Sequence, residues 1–290
     1  MAQETKKYRF LLIQAFRLPG TPDATYRPGD GRGDSRLMNV DNVQRVSHLL
    51  EDVEWELHPG PLATYGDWPV ETREEFAIVA AGRPAIVREA CKSGRYDAIV
   101  LLGGGEPGFN ESREVARPFG IPVTSCAHSQ MHVAGMLGNK FSVIDLADVH
   151  NMHYYDLVMR HHMSGRCASI RNINYPLPRP PYTGEPTPRS EKEKFLRGET
   201  SGMLEASVRE AIAAIEEDGA EVITFGCSGL FWMQPHLQQR LSEIGWEVPV
   251  LDGYQCAITM AKMLVDLRLN ASALTFPPDA PRKWRRKKFV

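Results

Sequence analysis

Short apolar runs bounded by Gly or Pro alternate along the chain with longer segments that carry apolar residues at helical spacing. The runs typical of buried parallel strands are residues 8–16, 97–102, 120–125, 221–225 and 248–252. The segments with helical spacing are residues 39–50, 72–93 and 203–217. This alternation predicts an α/β protein in which helices connect parallel strands.

The two halves of the chain follow one plan. DAIVLLG (97–103) aligns with EVITFGC (221–227), so that Gly103 and Cys227 stand at equivalent strand ends. A glycine-rich turn, a helix and an Ile-Pro-Val or Val-Pro-Val strand follow in each half. We therefore predict an α/β fold of two pseudo-symmetric, doubly wound lobes with parallel sheets, and an active site in the cleft between the lobes.

The division into lobes can be predicted from the same pattern. The first lobe comprises residues 1–145, completed by a C-terminal helix that returns to it at about 254–270. The second comprises residues 146–253 and carries a proline-rich arm at 175–190, too rich in proline for regular structure. Residues 271–290 form a basic tail, for which we expect a solvated end.

The composition limits the kind of molecule that the protein is expected to bind. The 290 residues are 42% hydrophobic, and 34 Lys and Arg nearly balance 36 Asp and Glu, for a net charge of −2. Such a balance gives the protein no net electrostatic attraction to nucleic acid or to an anionic membrane. No apolar run approaches the roughly 18 residues of a membrane span, and the N-terminus has no signal-peptide core. We expect a cytoplasmic protein that acts on a small molecule.

The cysteines point to thiol chemistry rather than to bridges. The chain has five, an odd number, without any CxxC pair, so that neither a disulfide framework nor a zinc ribbon fits. We expect Cys126 to pack within its strand, and Cys91, Cys167 and Cys256 to be inert in helices.

Cys227, in FGCSGL, is the candidate reactive thiol. It follows a predicted strand and precedes a predicted helix, and a helix N-terminus lowers the pKa of a thiol. Ser228 and Gly229 can direct backbone N–H groups at an oxyanion. The alternative is that Cys227 is a small buried apolar residue, but the flanking glycines favour a site because they allow a substrate close to the backbone.

The turn GGGEPG (103–108) matches the glycine pattern of dinucleotide-binding folds. Such a site needs an acidic residue about 20 positions further on, where this chain has Thr124, Ser125 and Cys126. We therefore expect no dinucleotide, and assign the turn to a substrate cradle made by Gly103, Gly104, Gly105 and Glu106.

The histidines divide into two groups. His150, His153, His161 and His162 match no zinc signature, and we expect surface positions and no metal site. His128 follows the strand 120–125 and could face the cleft as an acid or base, although a structural histidine is the alternative. We predict that the protein needs no cofactor.

Four segments resemble the aspartate/glutamate/hydantoin racemase superfamily, and hydantoin racemases most of all. They are DAIVLLGGGEPGFNESRE, IPVTSCAHSQMHVAGMLGNKFSVI, GAEVITFGCSGL and VPVLDGYQCAITMAKMLV. The resemblance spans about residues 75–267, plus the first strand. It implies a cofactor-independent enzyme in which two cysteines, one from each lobe, flank a substrate Cα. Cys227 matches the second-lobe cysteine.

Two departures from the family pattern concern the site. Gly103 stands where the family has its first-lobe cysteine, and an Asn-Pro-Asn segment that binds substrate is replaced near Gln14, Ala15 and Phe16. Gln14 becomes a candidate substrate ligand. Glycine at the first position and cysteine at the second is the pattern of the arylmalonate decarboxylases, which protonate an enediolate on one face.

The sequence thus predicts a racemase or epimerase that forms a carbanion or enediolate next to a carbonyl or carboxylate, with Cys227 moving the proton. We expect a small carboxylate or cyclic amide as substrate, and a homo-oligomer. The alternatives are a single-cysteine decarboxylase, or a hydrolase or lyase in which Cys227 is the nucleophile and His128 its base. A non-catalytic binding protein is the remaining alternative.

Overall fold

Two parallel sheets form the framework of this computed structural model, which describes residues 6–27, 40–63, 65–277 and 283. Strand order is β2-β1-β3-β4 in the first sheet and β6-β5-β7 in the second, and all pairs are parallel. The described strands are β1 (Tyr8–Ile13), β2 (Val53–His58), β3 (Ala98–Leu101), β4 (Val123–Ser125), β5 (Phe141–Asp145), β6 (Cys167–Asn172) and β7 (Val222–Phe225). The predicted α/β class with two lobes is confirmed.

Helices connect these strands, as parallel pairing requires. The described α-helices are α1 (Val40–Arg45), α2 (Arg73–Lys92), α3 (Phe109–Ala116), α4 (Cys126–Leu137), α5 (Asn151–Arg160), α6 (Pro188–Leu196), α7 (Gly202–Glu216), α8 (Gln234–Glu243) and α9 (Gly253–Asp266). Short 3₁₀ helices occur at Ser47–Leu50, Arg117–Phe119, Asp148–His150 and Ser228–Met233. No helix of the described residues is long and apolar enough to cross a membrane.

Strands β1, β3 and β7 are continuous apolar runs, because helices cover both faces of a parallel sheet. All four residues of β3 and of β7 are buried, and so are five of the six residues of β1. β2 and β6 lie at the edges and are more polar, with the sequences VEWELH and CASIRN. Edge strands such as these do not stand out in an apolar pattern.

The boundary between the lobes differs from the predicted one. β5 pairs with β6 and β7 in the second sheet, although the sequence analysis placed residues up to 145 in the first lobe. The chain therefore passes from one sheet to the other between α4 and β5. Only residues 138–140 separate the first-lobe helix α4 from β5, so no long linker marks the change of sheet.

Three local expectations are also corrected. Cys126 begins α4 instead of ending a strand, and Cys167 lies in β6 instead of in a helix. The predicted strand at 248–252 contributes one bridge, between Val250 and Ile223. Of the predicted basic tail, only residues 271–277 and 283 lie within the described part of the chain.

The lobes meet where β3 and β7 end. A Cβ atom added to Gly104 would lie 1.4 Å from the carbonyl oxygen of Gly226, so the two backbones touch and a side chain is excluded. The Tyr154 hydroxyl lies within hydrogen-bond distance of both the Gly104 and Gly226 carbonyl oxygens. Helix α9 returns to pack on β3, β4 and α4. This close contact places the carboxyl ends of β1, β3, β5 and β7 around one cavity.

Candidate active site

A cavity lies between the lobes, at the carboxyl ends of β1, β3, β5 and β7. Its volume is about 50 Å³, within about 580 Å³ of space free of protein atoms that includes open solvent at its mouth. Parallel sheets commonly bind ligands at this edge. The lining residues are Ala15, Phe16, Val70, Phe76, Gly103, Gly104, Gly105, Pro107, His150, His153, Tyr154, Leu177, Cys227 and Ser228.

Cys227 stands at the cavity wall, at the N-cap of the 3₁₀ helix Ser228–Met233. Its Sγ accepts a hydrogen bond from the Gly229 N–H at 3.4 Å. Burial, assisted by the negative charge of Asp145, raises the pKa of the thiol far above its usual value. This is the reverse of the lowered pKa expected from a helix N-terminus, because one backbone N–H does not offset the loss of water. Cys227 is therefore a protonated thiol in the resting protein.

The turn Gly103–Gly105 forms the facing wall. Gly103 has φ +98°, a backbone conformation that favours glycine, and a Cβ atom on Gly105 would lie 2.6 Å from the Phe76 ring. The carbonyl oxygens of Gly104 and Gly105 are engaged by Tyr154 and His153 respectively. Within the described residues, the N–H groups of Gly104 and Gly105 have no backbone partner. Both donors belong to residues that line the cavity.

His150 and Asp145 form a buried pair at the end of β5. The Nδ1 of His150 lies 3.3 Å from the Asp145 Oδ1, which also accepts the Leu146 N–H at 2.7 Å. The His150 side chain is 7% exposed, and its Nε2 has no hydrogen-bond partner in the described part of the chain. Burial alone would lower the pKa of His150, but the charge and hydrogen bond of Asp145 raise it above the usual value.

The sequence does not predict this pair, and the surface position expected for His150 is wrong. His150 ends a 3₁₀ helix that directly follows β5, a strand the sequence pattern did not reveal. The spacing of five residues from Asp145 at the end of β5 would have indicated it, had that strand been recognised.

His153 also lines the cavity, but its ring is fixed. It stacks on Phe76 with ring centroids 4.0 Å apart, and its Nε2 lies 2.8 Å from the Gly105 carbonyl oxygen. Burial lowers the pKa of His153. A neutral ring that donates Nε2–H to Gly105 holds the glycine turn in place.

Glu106 and His128 lie together in a buried cluster that does not line the cavity. The Glu106 carboxylate is bonded by the His161 ring, the Ser125 hydroxyl and, at 3.0 Å, the His128 N–H. The His128 ring packs against Phe109 at 5.0 Å between centroids, and burial lowers its pKa to about 3. His161, expected at the surface, is thus part of the interior.

Two further candidates are near the cavity without lining it. Gln14 is buried at the end of β1, and its carbonyl oxygen accepts a hydrogen bond from Arg83 at 3.1 Å. Gly229 lies behind Cys227, with its N–H directed at the thiol. Of the predicted site residues, Gly103, Gly104, Gly105, Cys227 and Ser228 line the cavity.

The proline-rich arm crosses the cavity and is tied to the first lobe. Arg179 donates to both oxygens of Glu75, at 2.7 and 3.1 Å, and the Leu177 N–H donates to Glu71 at 3.2 Å. The Leu177 side chain forms part of the cavity wall. The arm therefore covers one side of the site.

Metal ligands are not gathered at this cavity or elsewhere in the described residues. No group of three or more His, Cys, Asp or Glu side chains within them is arranged to hold a metal ion.

Comparison with known proteins agrees with this architecture. The profile of the family described as Asp/Glu/Hydantoin racemase matches residues 63–261. A hydantoin racemase of Pseudomonas sp. (strain NS671) is 31% identical over 193 residues, which are 66% of this chain and 68% of that protein.

Two solved structures share the fold. An allantoin racemase from Pseudomonas fluorescens superposes with a TM-score of 0.67 at 23% identity, covering 96% of this chain and 99% of that one. An arylmalonate decarboxylase superposes with a TM-score of 0.51 at 15% identity, covering 89% and 92%. Because the family profile matches more than half of the residues, the chain belongs to the Asp/Glu/hydantoin racemase family, and with it to the isomerases.

Proposed function

We propose that this enzyme racemises or epimerises a small cyclic amide at the carbon next to a carbonyl group, without a cofactor, and that Cys227 transfers one of the protons. The observation that carries the proposal is that Cys227 lines the same cavity as a glycine turn whose Gly104 and Gly105 N–H groups have no backbone partner within the described residues. The likeness to hydantoin racemases supports it.

The arrangement of these groups can stabilise the negative charge that develops during the reaction. Removal of a proton next to a carbonyl group moves negative charge onto the carbonyl oxygen. The N–H groups of Gly104 and Gly105 can bind that oxygen, and loss of one such donor typically costs about 3–4 kcal/mol of transition-state stabilisation. The thiol of Cys227 can then return a proton to the carbon.

The charges around the cavity favour an amide over a carboxylate. No Lys or Arg stands among the described residues that line it. Asp145 and Glu71 lie close enough to raise the pKa of Cys227 by their negative charge. A carboxylate substrate would be repelled in this environment, whereas a cyclic amide offers neutral donors and acceptors.

The decarboxylase alternative draws its support from one position. Gly103 leaves a single thiol at the site, which suits protonation on one face. A malonate substrate, however, would bring two negative charges into a cavity at which none of the described lining residues is Lys or Arg. The hydrolase alternative requires His128 as the base for Cys227, but His128 lies in the buried cluster with Glu106.

The deciding experiment is incubation of single enantiomers of 5-substituted hydantoins, and of allantoin, in D₂O. A racemase incorporates deuterium into both product and recovered substrate, a decarboxylase labels only product and releases CO₂, and a hydrolase labels neither. We expect exchange in both, abolished in Cys227→Ala. Cys167→Ala, in the same lobe but away from the cavity, is the matched control. Full activity in Cys227→Ala, or label in product accompanied by release of CO₂, would refute the proposal.

A further inference from the structure

We propose that His150, held by Asp145, is the second proton carrier of the active site and takes the part of the thiol that Gly103 lacks. The inference rests on the proposed function. Racemisation removes a proton from one face of a carbon and returns a proton to the other, so it normally requires two carriers. Cys227 supplies one.

The fold brings His150 and Cys227 to the cavity from two neighbouring strands. β5 and β7 pair in parallel, with Ile144 opposite Phe225. His150 closes the 3₁₀ helix that follows β5, and Cys227 precedes the 3₁₀ helix that follows β7. Both residues therefore line the same cavity.

The Nε2 atom of His150 is the feature that points to a ligand. It is buried and has no hydrogen-bond partner within the described residues, and buried polar atoms in proteins are rarely left so. Because Nδ1 faces the Asp145 carboxylate, Nδ1 carries the proton in the neutral ring and Nε2 presents a lone pair. Because His150 lines the cavity, a lone pair on this nitrogen can accept a proton from a substrate bound there.

The other cavity histidine does not offer the same function. The Nε2 of His153 is already bonded to the Gly105 carbonyl oxygen, and its ring is stacked on Phe76. Those contacts fix a neutral tautomer that donates from Nε2. His150 is thus the lining histidine, within the described residues, with a nitrogen available to substrate.

The proton balance of the step is complete with these two groups. The substrate C–H bond breaks, its proton passes to Nε2 of His150, and the electron pair moves onto the carbonyl oxygen. The enolate then takes the proton of the Cys227 thiol on the opposite face, and the S–H bond breaks to leave a thiolate. The reverse direction begins from this imidazolium and thiolate.

The surroundings stabilise the imidazolium that the step creates. Asp145 on β5 and Glu71 before α2 face His150 with negative charge, while Arg179 on the arm and His153 on α5 oppose its protonation. Asp145 is in direct contact, so it dominates. We assign Asp145 the role of a positioning residue, since it acts on substrate only through His150.

His150→Gln tests the inference, because glutamine fills much of the space without carrying a proton. We expect racemisation to fall by about 100-fold or more, the usual size of an acid–base contribution. His162→Gln, at an exposed position, is the matched control and retains wild-type rates.

Two further measurements separate chemistry from folding. In His150→Ala, added imidazole should restore racemisation, which a purely structural histidine would not allow. In Asp145→Asn, the limb of the pH–rate profile assigned to His150 should move to lower pH. Burial lowers the pKa of His150, and the variant lacks the carboxylate that raises it. The Leu146 N–H keeps its acceptor in this variant.

The outcomes distinguish the two proposals. Wild-type exchange of both enantiomers in His150→Gln, or no rescue of His150→Ala by imidazole, would overturn the inference and leave the proposed function in place. Absence of exchange in the wild-type enzyme with every cyclic amide would overturn both.

Discussion

A Cβ atom on Gly103 would lie 2.5 Å from the Cβ atom of Ala15. Real side chains do not approach so closely, and the φ of +98° at Gly103 adds backbone strain. The position that the family resemblance assigns to a first-lobe cysteine is therefore closed to a side chain in this protein. The segment that replaces the family's Asn-Pro-Asn closes it.

Restoring a cysteine at this position requires a second change. We expect Gly103→Cys alone to lower the free energy of unfolding by about 2–4 kcal/mol, from backbone strain and overpacking together. Adding Ala15→Gly should recover part of this, because the next atom, the Ala15 Cα, lies at 3.5 Å. Denaturant unfolding of both variants measures the difference.

Gly94→Ala serves as the control for backbone strain. Gly94 has φ +64° and nothing within 4 Å of an added Cβ, so this variant should lose only about 1 kcal/mol. Equal losses for Gly103→Ala and Gly94→Ala would contradict the contact with Ala15. If the double variant gains racemisation, the added thiol has reached the substrate.

Glu106 is expected to stabilise the fold and not to bind substrate. Glu106→Gln breaks a buried pair with His161, a change that typically costs about 3–5 kcal/mol. Thermal and denaturant unfolding should show the loss, while the exposed Glu111→Gln on the neighbouring helix should not. A Glu106→Gln protein of normal stability with a raised KM would instead assign the carboxylate to substrate binding.

The ion pair between Glu75 and Arg179 should make stability depend on pH in the acid range. Burial opposes ionisation of Glu75, but the Arg179 hydrogen bond and the Thr72 and Glu71 N–H groups lower its pKa to about 2. The folded pKa lies below the unfolded value near 4.5, so the contribution is present above pH 4.5 and disappears as the pH falls to about 2.

Glu75→Gln should remove that dependence, which amounts to up to about 3 kcal/mol. Denaturant unfolding at a series of pH values between 2 and 6 is the measurement. Glu74→Gln is matched, since Glu74 lies in the same helical turn but is exposed. An unchanged pH profile in Glu75→Gln would show that the arm is not held by this pair.

His128→Asn is expected to leave turnover within a few-fold of wild type. The ring lies in the cluster with Phe109 and His132, and burial lowers its pKa to about 3, so it carries no charge near neutral pH. Steady-state kinetics with both enantiomers provides the test. Loss of exchange from one enantiomer, in a variant that folds normally, would make His128 the acid or base that the sequence analysis considered.

The need for no cofactor stays a prediction. Dialysis against EDTA should leave kcat and KM unchanged. A loss of activity that a divalent ion restores would show that metal ligands come together in the working enzyme.

The sequence by itself determined the class of fold and the strands β1, β3 and β7. β1, β3 and β7 are apolar runs because helices bury both of their faces, so a pattern of hydrophobic residues suffices to find them. The equivalence of Gly103 and Cys227 could also be predicted, since both follow such strands and the chain repeats one plan.

Only the tertiary structure decided which residues surround the cavity. β5 looks like the end of the first lobe in sequence, but its hydrogen-bond partners are β6 and β7, and this pairing carries Asp145 and His150 to the site. Glu106 belongs to the glycine turn and His128 follows the next strand, β4, yet their side chains turn inward toward His161. Hydrophobic pattern reports burial along one segment, whereas the direction of a polar side chain depends on partners that are distant in sequence.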